Sequence, residues 1–469
     1  MVACLGMGAR ASPTPTRAST LVSSASLSSH ATRMNLRFLF VCSVLAALLC
    51  ACGHSPEPAD SPGVAAPAAP ISTTPAPVIA PANNPPPGAP VSAAPISGVY
   101  IWQRVWMPAH IDALNDSKTL FSELRVLAAQ QQPREGWIDA HVDLDALKSD
   151  GRAVWPVIRL DGRLATLDAD AIATRAHDVV AAWRAAGVRV DGVEIDFDCA
   201  SSRLADYAKL LAAIKTKLAK DATLSITALP AWIGAAGLAA VLAQSDEAVL
   251  QVHAVSDPKH GLFDAKQAKQ WIDAFAKQTT KPFRVALPAY GSALVLDAQG
   301  HQVGVESEAP LAEPGARLEL FSDPRTVADL LHTLKQSPPP NLRGYLWFRL
   351  PLPGDRRAWP LATIDAVIGG KELHSAWTPE IGDGGNGAFD ISVRNSGNLE
   401  AVLPASVEIS TFACQKNDAN ALPGYRVEVG DDVLRFVRET DKTLPATQTR
   451  PLGWVRCMHL VPGDVHVHP

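Results

Sequence analysis

The sequence predicts an α/β protein: a (β/α)8 TIM-type barrel followed by a small C-terminal β-sandwich. Three observations favour this fold class. From Val99 onward, short β-branched or aromatic runs alternate with amphipathic, alanine-rich segments about every thirty residues, as in parallel βαβ units. The repeat spans about 270 residues, close to the roughly 250 of a typical TIM barrel. After about residue 370 the pattern changes to alternating strands and turns, which is typical of a β-sandwich.

The first 52 residues have the composition of an export signal. A short region with Arg37 precedes an apolar run from Phe38 to Leu49, which is too short to span a bilayer. The run ends in Leu49-Cys50-Ala51-Cys52, which resembles a bacterial lipobox, and this resemblance implies cleavage before Cys52 and acylation of its thiol. An ordinary secretory peptide also fits the apolar run. We expect an exported protein, lipid-anchored to the bacterial outer membrane and facing the periplasm or the cell surface.

Residues 53–96 are predicted to form a disordered tether. They contain 13 prolines among Ala, Ser and Thr and almost no large apolar residue, so they cannot form a core. An extended spacer and plain disorder both fit this composition. Residues 52–469 carry 38 basic and 47 acidic residues, and this acidic balance argues against nucleic acid as a partner. We expect a monomer attached to the membrane through its N-terminal lipid.

Three cysteines lie beyond the leader, and export permits disulfide bonds between them. We predict that Cys414 and Cys457 pair within the sandwich domain, residues 371–469. Cys199 is alone in the barrel domain, residues 97–370, and is predicted to stay free. The sequence has no metal-type cysteine spacing, and we predict no metal and no cofactor.

The barrel repeat can be divided into predicted strands with predicted helices between them. The helical pattern is weaker in the first two connections. The predicted strands are Val99–Val105, Leu120–Ala128, Val154–Leu160, Val188–Asp198, Leu224–Leu229, Ala248–Val255, Phe283–Tyr290 and Leu342–Leu350. The predicted helices are Ala169–Ala186, Ser202–Leu218, Gly237–Gln244, Ala265–Lys277, Pro324–Lys335 and a closing helix at Thr363–Ile368. A doubly wound sheet is the main rival fold, but no glycine-rich phosphate turn follows an early strand. At the chain end, His466-Val-His468 is predicted to be a flexible tail.

The fourth strand candidate carries the most informative pattern. Because side chains alternate along a strand, Glu194, Asp196 and Asp198 share one face, and the apolar residues between them share the other. The apolar face should pack on the helices, so the acids point inward and climb toward the rim where barrel enzymes have their sites. Such acids repel one another, and at least one should have the raised pKa that a general acid requires. Alternatively, inward arginines such as Arg104, Arg159 or Arg349 would neutralise them in a structural ion network.

The stretch Asp191-Gly-Val-Glu-Ile-Asp-Phe-Asp198 resembles the fourth-strand signature of family-18 chitinases, Asp-Gly-x-Asp-x-Asp-x-Glu. The resemblance implies that Asp198 is the proton donor, that Asp196 positions a substrate acetamide, and that Glu194 occupies the inner acidic position. Two features depart from that family. The donor is one methylene shorter, and the third strand, Val157-Ile-Arg-Leu-Asp-Gly162, lacks its Ser-x-Gly-Gly.

Residues 97–365 as a whole are similar to an uncharacterised family of proteobacterial lipoproteins, catalogued as a domain of unknown function. In that family strand four ends Asp-Phe-Asp and strand five ends Leu-Pro-x-Trp, as Asp196–Asp198 and Leu229–Trp232 do here. The resemblance implies a glycoside-hydrolase-like TIM barrel.

Polar and aromatic groups at the other strand ends should gather at the same rim. For each aromatic residue a packing role is an equal alternative, and His253 also fits an interior position without catalytic function. The residues expected to contact a substrate are Trp232, Gln251, His253, Tyr290, Trp347, Arg349 and Arg159.

These features support a carbohydrate-active enzyme, similar to glycoside hydrolases, that acts on a cell-envelope or extracellular polysaccharide. A second hypothesis is a non-catalytic lipoprotein that binds a glycan or an envelope partner. A third is a metal-dependent hydrolase with Asp196, Asp198 and His253 as ligands, although no compact ligand motif supports it. Whether Asp196 is a nucleophile or braces the substrate depends on a carboxyl separation that the sequence does not give.

Overall fold

The computed structural model describes residues 96–253, 261–306 and 314–469. The predicted leader, the lipidation site Cys52 and the proline-rich tether up to residue 95 lie outside these residues, whereas Ile96, predicted as the last tether residue, begins the first strand. Within the described part of the chain, no helix combines the length and apolarity needed to cross a membrane.

A closed barrel of parallel strands forms the first part of the described chain, which confirms the predicted fold class. The barrel closes because its first strand pairs in parallel with both its second and its last strand. Its strands agree with the predicted ones to within a few residues at each end, where the two can be compared. The strands are β1 (Ile96–Ile101), β2 (Glu123–Gln132), β3 (Ala153–Leu160), β4 (Gly192–Phe197), β5 (Thr223–Ala228), β6 (Glu247–Gln251), β7 (Phe283–Pro288) and β8 (Leu342–Phe348).

A helix follows each barrel strand in the described residues. Four of these helices begin at an aspartate whose carboxylate accepts a hydrogen bond from a first-turn backbone N–H, namely Asp143, Asp168, Asp264 and Asp323. Such caps pair backbone N–H groups that have no partner in the first turn of a helix, so these aspartates fix where the helices begin. The helices are α1 (Pro108–Asp116), α2 (Leu144–Asp150), α3 (Ala169–Ala185), α4 (Leu204–Lys217), α5 (Leu238–Gln244), α6 (Ala265–Ala276), α7 (Pro324–Gln336) and α8 (Leu361–Gly369).

Apolar side chains form two separate layers around the strands. The larger layer lies between strands and helices and includes Val193, Ile195 and Phe197 of β4, each fully buried. Burial of this layer supplies most of the driving force for folding. A smaller cluster fills part of the barrel interior, with Val157, Val249, Ala286 and Leu346 packed near Tyr100, Trp102 and Phe348. Charged side chains, among them Arg125 and Glu194, also face the interior.

Two additions to the barrel were not predicted. The strand Gly136–Asp139 pairs antiparallel with the end of β2 and extends the wall there. Between β7 and α7, the strands Gly291–Leu296, Gln302–Glu306 and Ala316–Phe321 form a small antiparallel sheet. Its outer strands carry charged residues and few buried apolar ones, so the period-two signal in the sequence is weak.

The C-terminal residues form two antiparallel four-stranded sheets with a shared core, as expected for a β-sandwich. Cys414 and Cys457 are joined by the predicted disulfide, and Cys199 is a free, buried thiol. The expected flexible tail is wrong, because Val465–His468 is an edge strand that pairs with Ser406–Ser410. The first sheet contains Trp377–Gly385, Ala388–Asn395, Cys414–Ala421 and Thr449–Cys457; the second contains Ser406–Ser410, Tyr425–Val429, Val433–Arg438 and Val465–His468.

Candidate active site at the end of strand four

The acidic residues of β4 face the barrel interior, as the alternation of the strand predicts. Val157 and Arg159 of β3 are the register partners of Glu194 and Asp196, and these four side chains share the interior face. Asp198 follows directly after the end of β4. The three acids therefore lie at successive heights, from the middle of the barrel to its C-terminal rim.

Glu194 is the deepest of the three acids and does not reach the rim. Its carboxylate is fully buried, accepts a hydrogen bond from Tyr100 Oη at 2.7 Å, and lies 2.9 Å from Arg125 Nη1. Ser225 Oγ donates a further hydrogen bond at 3.3 Å. These contacts correct the prediction that Glu194 takes part in catalysis, because no substrate atom can reach a carboxylate enclosed in this way.

A buried ion network surrounds Glu194 and forms the floor beneath the rim. Arg125, fully buried, lies 3.1 Å from Glu123 and 2.5 Å from Glu247, and its guanidinium carbon is 3.9 Å from the centre of the Trp155 ring. Arg284 pairs with the same two glutamates. The structural network that the sequence left open thus exists: Arg125, which the sequence reasoning did not name, neutralises Glu194, and Arg159, which it did name, pairs with Asp196 and Asp198.

Asp196 and Asp198 form a pair bridged by one arginine. Arg159 Nη1 is 3.3 Å from Asp196 Oδ2, and Nη2 is 3.2 Å from Asp198 Oδ2. The Asp196 side chain is 3% exposed, whereas those of Asp198 and Arg159 are 20% and 18% exposed. Within the described residues, Oδ1 of each carboxyl has no hydrogen-bond partner. The pair is therefore open to solvent on the Asp198 side and keeps acceptor capacity that the protein does not use.

Burial makes this pair hold a proton at neutral pH. It raises the pKa of Asp196 to about 8, with repulsion from Asp198 adding to the effect and Arg159 opposing it. Burial also raises the pKa of Asp198, while Arg159 lowers it. Because the two carboxyls interact closely, they titrate as a pair. A carboxyl pair that retains a proton near pH 7 has the property required of a general acid.

The raised pKa of Asp196 predicts that stability depends on pH. Between about pH 4 and pH 8 the folded chain keeps a proton on Asp196 that the unfolded chain releases, so the free energy of unfolding falls as pH rises through this window. Asn at this position removes the titration. We expect Asp196→Asn to match the wild type near pH 4 and to be progressively more stable toward pH 8, as measured by melting temperature. A constant difference between the two proteins across this window would contradict the shift.

His253, Tyr290 and Phe348 form an aromatic group on the side of the rim opposite β3. The Tyr290 hydroxyl and His253 Nδ1 are 3.2 Å apart, and the His253 ring lies 5.8 Å from that of Phe348, with an interplanar angle of 30°. Burial lowers the pKa of His253 to about 4, so the imidazole is neutral at pH 7. Val249 of β6 belongs to the interior cluster. Because side chains alternate along a strand, Gln251 at the end of β6 and His253 just after it face the interior as well. Gln251, His253 and Tyr290 therefore lie at the rim, as predicted.

Three predicted substrate contacts are wrong because their side chains are enclosed. Trp347 is 1% exposed and packs in the layer between strands and helices near Trp359, because Leu346 and Phe348 take the interior positions of β8. Trp232 is fully buried, and its indole N–H donates to the Cys199 carbonyl at 2.8 Å. Arg349 is 1% exposed and pairs with Asp355 at 2.5 Å. Trp232 and Arg349 support the loops after β4 and β8.

Three residues at the rim were missed by the sequence reasoning. Trp102 follows β1 on the interior face, and its ring lies 5.6 Å from the Arg159 guanidinium carbon and 5.3 Å from the Phe348 ring. The alternation Tyr100-Ile101-Trp102 carries the signal that would have found it. Phe348 was passed over for its neighbour Trp347. Gln130 of β2 reaches the interior through a register shift that alternation alone cannot reveal.

No group of three or more His, Cys, Asp and Glu side chains suited to holding a metal ion occurs among the described residues. Asp196, Asp198 and His253, the ligands of the third hypothesis, thus do not form such a group.

Comparison with family models places the acidic pair in a recognised domain. Residues 150–353 match the model of a domain of unknown function, DUF3142. The DUF3142 match begins just before β3 and ends just after β8, so it contains Arg159, Asp196 and Asp198. Residues 383–458, in the sandwich, match a second domain of unknown function, DUF8456. No curated protein matches the sequence.

Several solved structures are similar to the chain at low identity. A chitinase from Chromobacterium violaceum is 15% identical with a TM-score of 0.39, covering 59% of this chain and 98% of that one. The spore cortex-lytic enzyme SleL from Bacillus cereus is 12% identical with a TM-score of 0.43, covering 60% and 75%. Chitinase ChiA74 from Bacillus thuringiensis is 9% identical with a TM-score of 0.42, covering 80% and 100%. Likeness at this level says nothing about the chemistry of the present chain.

Proposed function

We propose that the barrel is a glycoside hydrolase acting on a cell-envelope or extracellular polysaccharide. The observation that carries this proposal is the Asp196–Asp198 pair, which retains a proton at neutral pH and is open to solvent at the C-terminal rim of a TIM-type barrel. This is the end of the barrel where enzymes of this architecture have their catalytic groups. The resemblance of the β4 motif to that of family-18 chitinases agrees with the assignment.

In the proposed reaction Asp198 is the general acid. Its carboxyl donates a proton to the glycosidic oxygen as the bond from that oxygen to the anomeric carbon breaks, and a water oxygen then bonds to this carbon. The proton released by the water returns to Asp198, so the enzyme is unchanged. Asp196 lies deeper, keeps the shared proton available and faces the substrate from below. Arg159 holds both carboxyls in place through its two terminal nitrogens.

We also propose that the protein is exported and anchored to the outer membrane by a lipid on Cys52, with residues 53–96 as a spacer. In this arrangement a monomeric barrel faces the periplasm or the cell surface, where its polysaccharide lies. The lipobox-like sequence and the proline-rich composition support this location.

Incubation of the full mature chain with purified peptidoglycan, chitin and cellulose, followed by measurement of new reducing ends, tests the hydrolase. The matched control is the double variant Asp196→Asn/Asp198→Asn, which keeps side-chain size but removes both acids. We expect reducing ends with the wild type and none above background with the double variant. Equal signals from the two proteins would overturn the proposal, and loss of wild-type activity with a chelator would favour a metal-dependent hydrolase instead.

A second candidate is a glycan-binding barrel without turnover. It is favoured by one specific observation. Residue 198 is an aspartate, which is shorter than a glutamate, and its Oδ2 lies 3.2 Å from Arg159 Nη2. A carboxyl that is one methylene shorter and is held by a cation reaches less far toward a glycosidic oxygen, so proton transfer to that oxygen is less effective. Retention of the wild type on one of the three polysaccharides, without any release of reducing ends, would support this candidate.

A further inference from the structure

A β-bulge in β2 changes which side chain of that strand enters the barrel. Leu127 is the register partner of Val157, but Ala129 is the partner of Ile158, so β2 contains one extra residue at Ala128. Val157 faces the interior and Ile158 faces the helices. Bulges re-aim side chains in this way and are frequent beside active sites.

The consequence is that Gln130, the register partner of Arg159, faces the interior at the rim. Without the bulge, strict alternation from Arg125 and Leu127 would have placed Ala129 and Gln131 there. The bulge replaces a methyl group with a primary amide, directly beside the arginine that holds the acidic pair. Gln131 instead shares its row with Leu160, which belongs to the layer between strands and helices.

Gln130 is nearly buried and its amide is not used by the protein. The residue is 5% exposed, and no hydrogen bond of its side-chain amide is found within the described part of the chain. The amide nitrogen and oxygen still reach solvent, unlike Oε1 of the neighbouring Gln131, which is buried without a partner in the described residues, so the Gln130 amide can bind water or a ligand. Since Gln130 is the register partner of Arg159, whose side chain is 18% exposed, a molecule bound at this rim can supply both a donor and an acceptor.

The charges of the described residues at this rim indicate what kind of molecule binds there. Arg159 pairs with the two acids, which together keep a proton at neutral pH, and His253 is uncharged. These described groups therefore sum to no net charge. Beside them lie the amides of Gln130 and Gln251 and the partly exposed ring of Trp102. Hydroxyl groups on an uncharged ring match amides and an aromatic neighbour.

We propose that Gln130 is a substrate-binding residue that hydrogen-bonds the hydroxyl groups of an uncharged pyranose ring beside the acidic pair. The assignment rests on the proposed function, since it names the sugar class at that same site. Gln130 lies outside the residues that match the DUF3142 model, so that match does not assign it.

Adjacent glutamines provide a matched test. Gln130→Ala and Gln131→Ala remove the same side chain at neighbouring positions on opposite faces of β2. Both changes are made in the full mature chain with Asp198→Asn, which prevents turnover during binding. Affinity is measured by calorimetry with chitohexaose and cellohexaose as uncharged probes, a galacturonate hexamer as an anionic probe and a glucosamine hexamer as a cationic probe.

We expect an uncharged probe to bind more tightly than both charged ones. Gln130→Ala should weaken this binding about tenfold, as the loss of one or two neutral hydrogen bonds predicts, and Gln131→Ala should weaken it less than twofold. Melting temperature should not fall in Gln130→Ala, because the amide has no protein partner to lose.

Three outcomes would overturn the assignment: preference for a charged probe, a larger loss with Gln131→Ala than with Gln130→Ala, or no binding of either uncharged hexamer. None of them depends on catalysis. A further measurement, of reducing ends released by the Gln130→Ala protein with an intact Asp198, separates the two proposals. If turnover persists and affinity is unchanged, Gln130 does not bind the substrate, but the proposed hydrolase activity stands.

Discussion

Asp198→Asn is expected to lower kcat/KM for polysaccharide hydrolysis by about 10²- to 10⁴-fold, the usual contribution of a positioned general acid. Asparagine keeps the size of the side chain and its contact with Arg159, but it has no acidic proton to donate. The affinity for an uncharged oligosaccharide should change much less than kcat, because the substituted group acts on the leaving oxygen and not on the rest of the sugar. Initial rates of reducing-end release, over a range of substrate concentrations, measure both quantities.

Asp191→Asn is the matched control for this experiment. Asp191 immediately precedes β4, at the opposite end of the barrel from Asp198, and its side chain is 41% exposed. The same chemical change there should leave kcat/KM within about twofold of the wild type, since surface substitutions away from a site have small effects. If Asp198→Asn retained wild-type turnover, Asp198 would not be the acid, whatever the result at Asp191.

Arg125→Met is expected to destabilise the barrel by about 3–5 kcal/mol, because it removes the cation at the centre of a buried network. Arg125 is fully buried between Glu123, Glu194 and Glu247. Without it the three carboxylates face one another in a poorly solvated interior, and Arg284 alone contacts two of them. Urea unfolding followed by tryptophan fluorescence measures the change, since nine of the eleven tryptophans lie in residues 97–370.

The control for this prediction is Arg163→Met, which breaks the ion pair with Asp161 at 2.8 Å in the loop after β3. The Arg163 side chain is 58% exposed, so solvent screens the pair, and its loss should cost no more than about 1 kcal/mol. Equal, small effects of the two substitutions would show that Arg125 is replaceable and that the floor of the site does not depend on its charge.

Much of the fold was predictable because its signals are local. The thirty-residue repeat reflects backbone periodicity within single elements, which neighbouring residues dictate. The inward direction of Asp196 and Asp198 followed from one strand whose two faces differ sharply, with acids on one and Val193, Ile195 and Phe197 on the other. The pairing of Cys414 with Cys457 followed from their isolation in one domain.

Other features depend on contacts between distant residues. β8 is apolar on both faces, so its sequence cannot tell whether Trp347 or Phe348 points inward, and pairing with β1 and β7 decides it. Glu194 is neutralised by Arg125, which lies 69 residues earlier on another strand, and nothing near Glu194 in the sequence announces it. The bulge that turns Gln130 inward is defined by the register between β2 and β3.

The amino-acid sequence by itself determined the barrel and an inward row of acids in which at least one carboxyl has a raised pKa, because each follows from a repeat or an alternation within a short segment. Only the tertiary structure decided which residues surround the Asp196–Asp198 pair, excluded Trp232, Trp347 and Arg349 from the rim, and brought Trp102, Gln130 and Phe348 to it. The physical reason is that the inner face of a closed barrel is assembled from strands far apart in the chain, and a one-residue change of register on any strand exchanges the side chains it contributes.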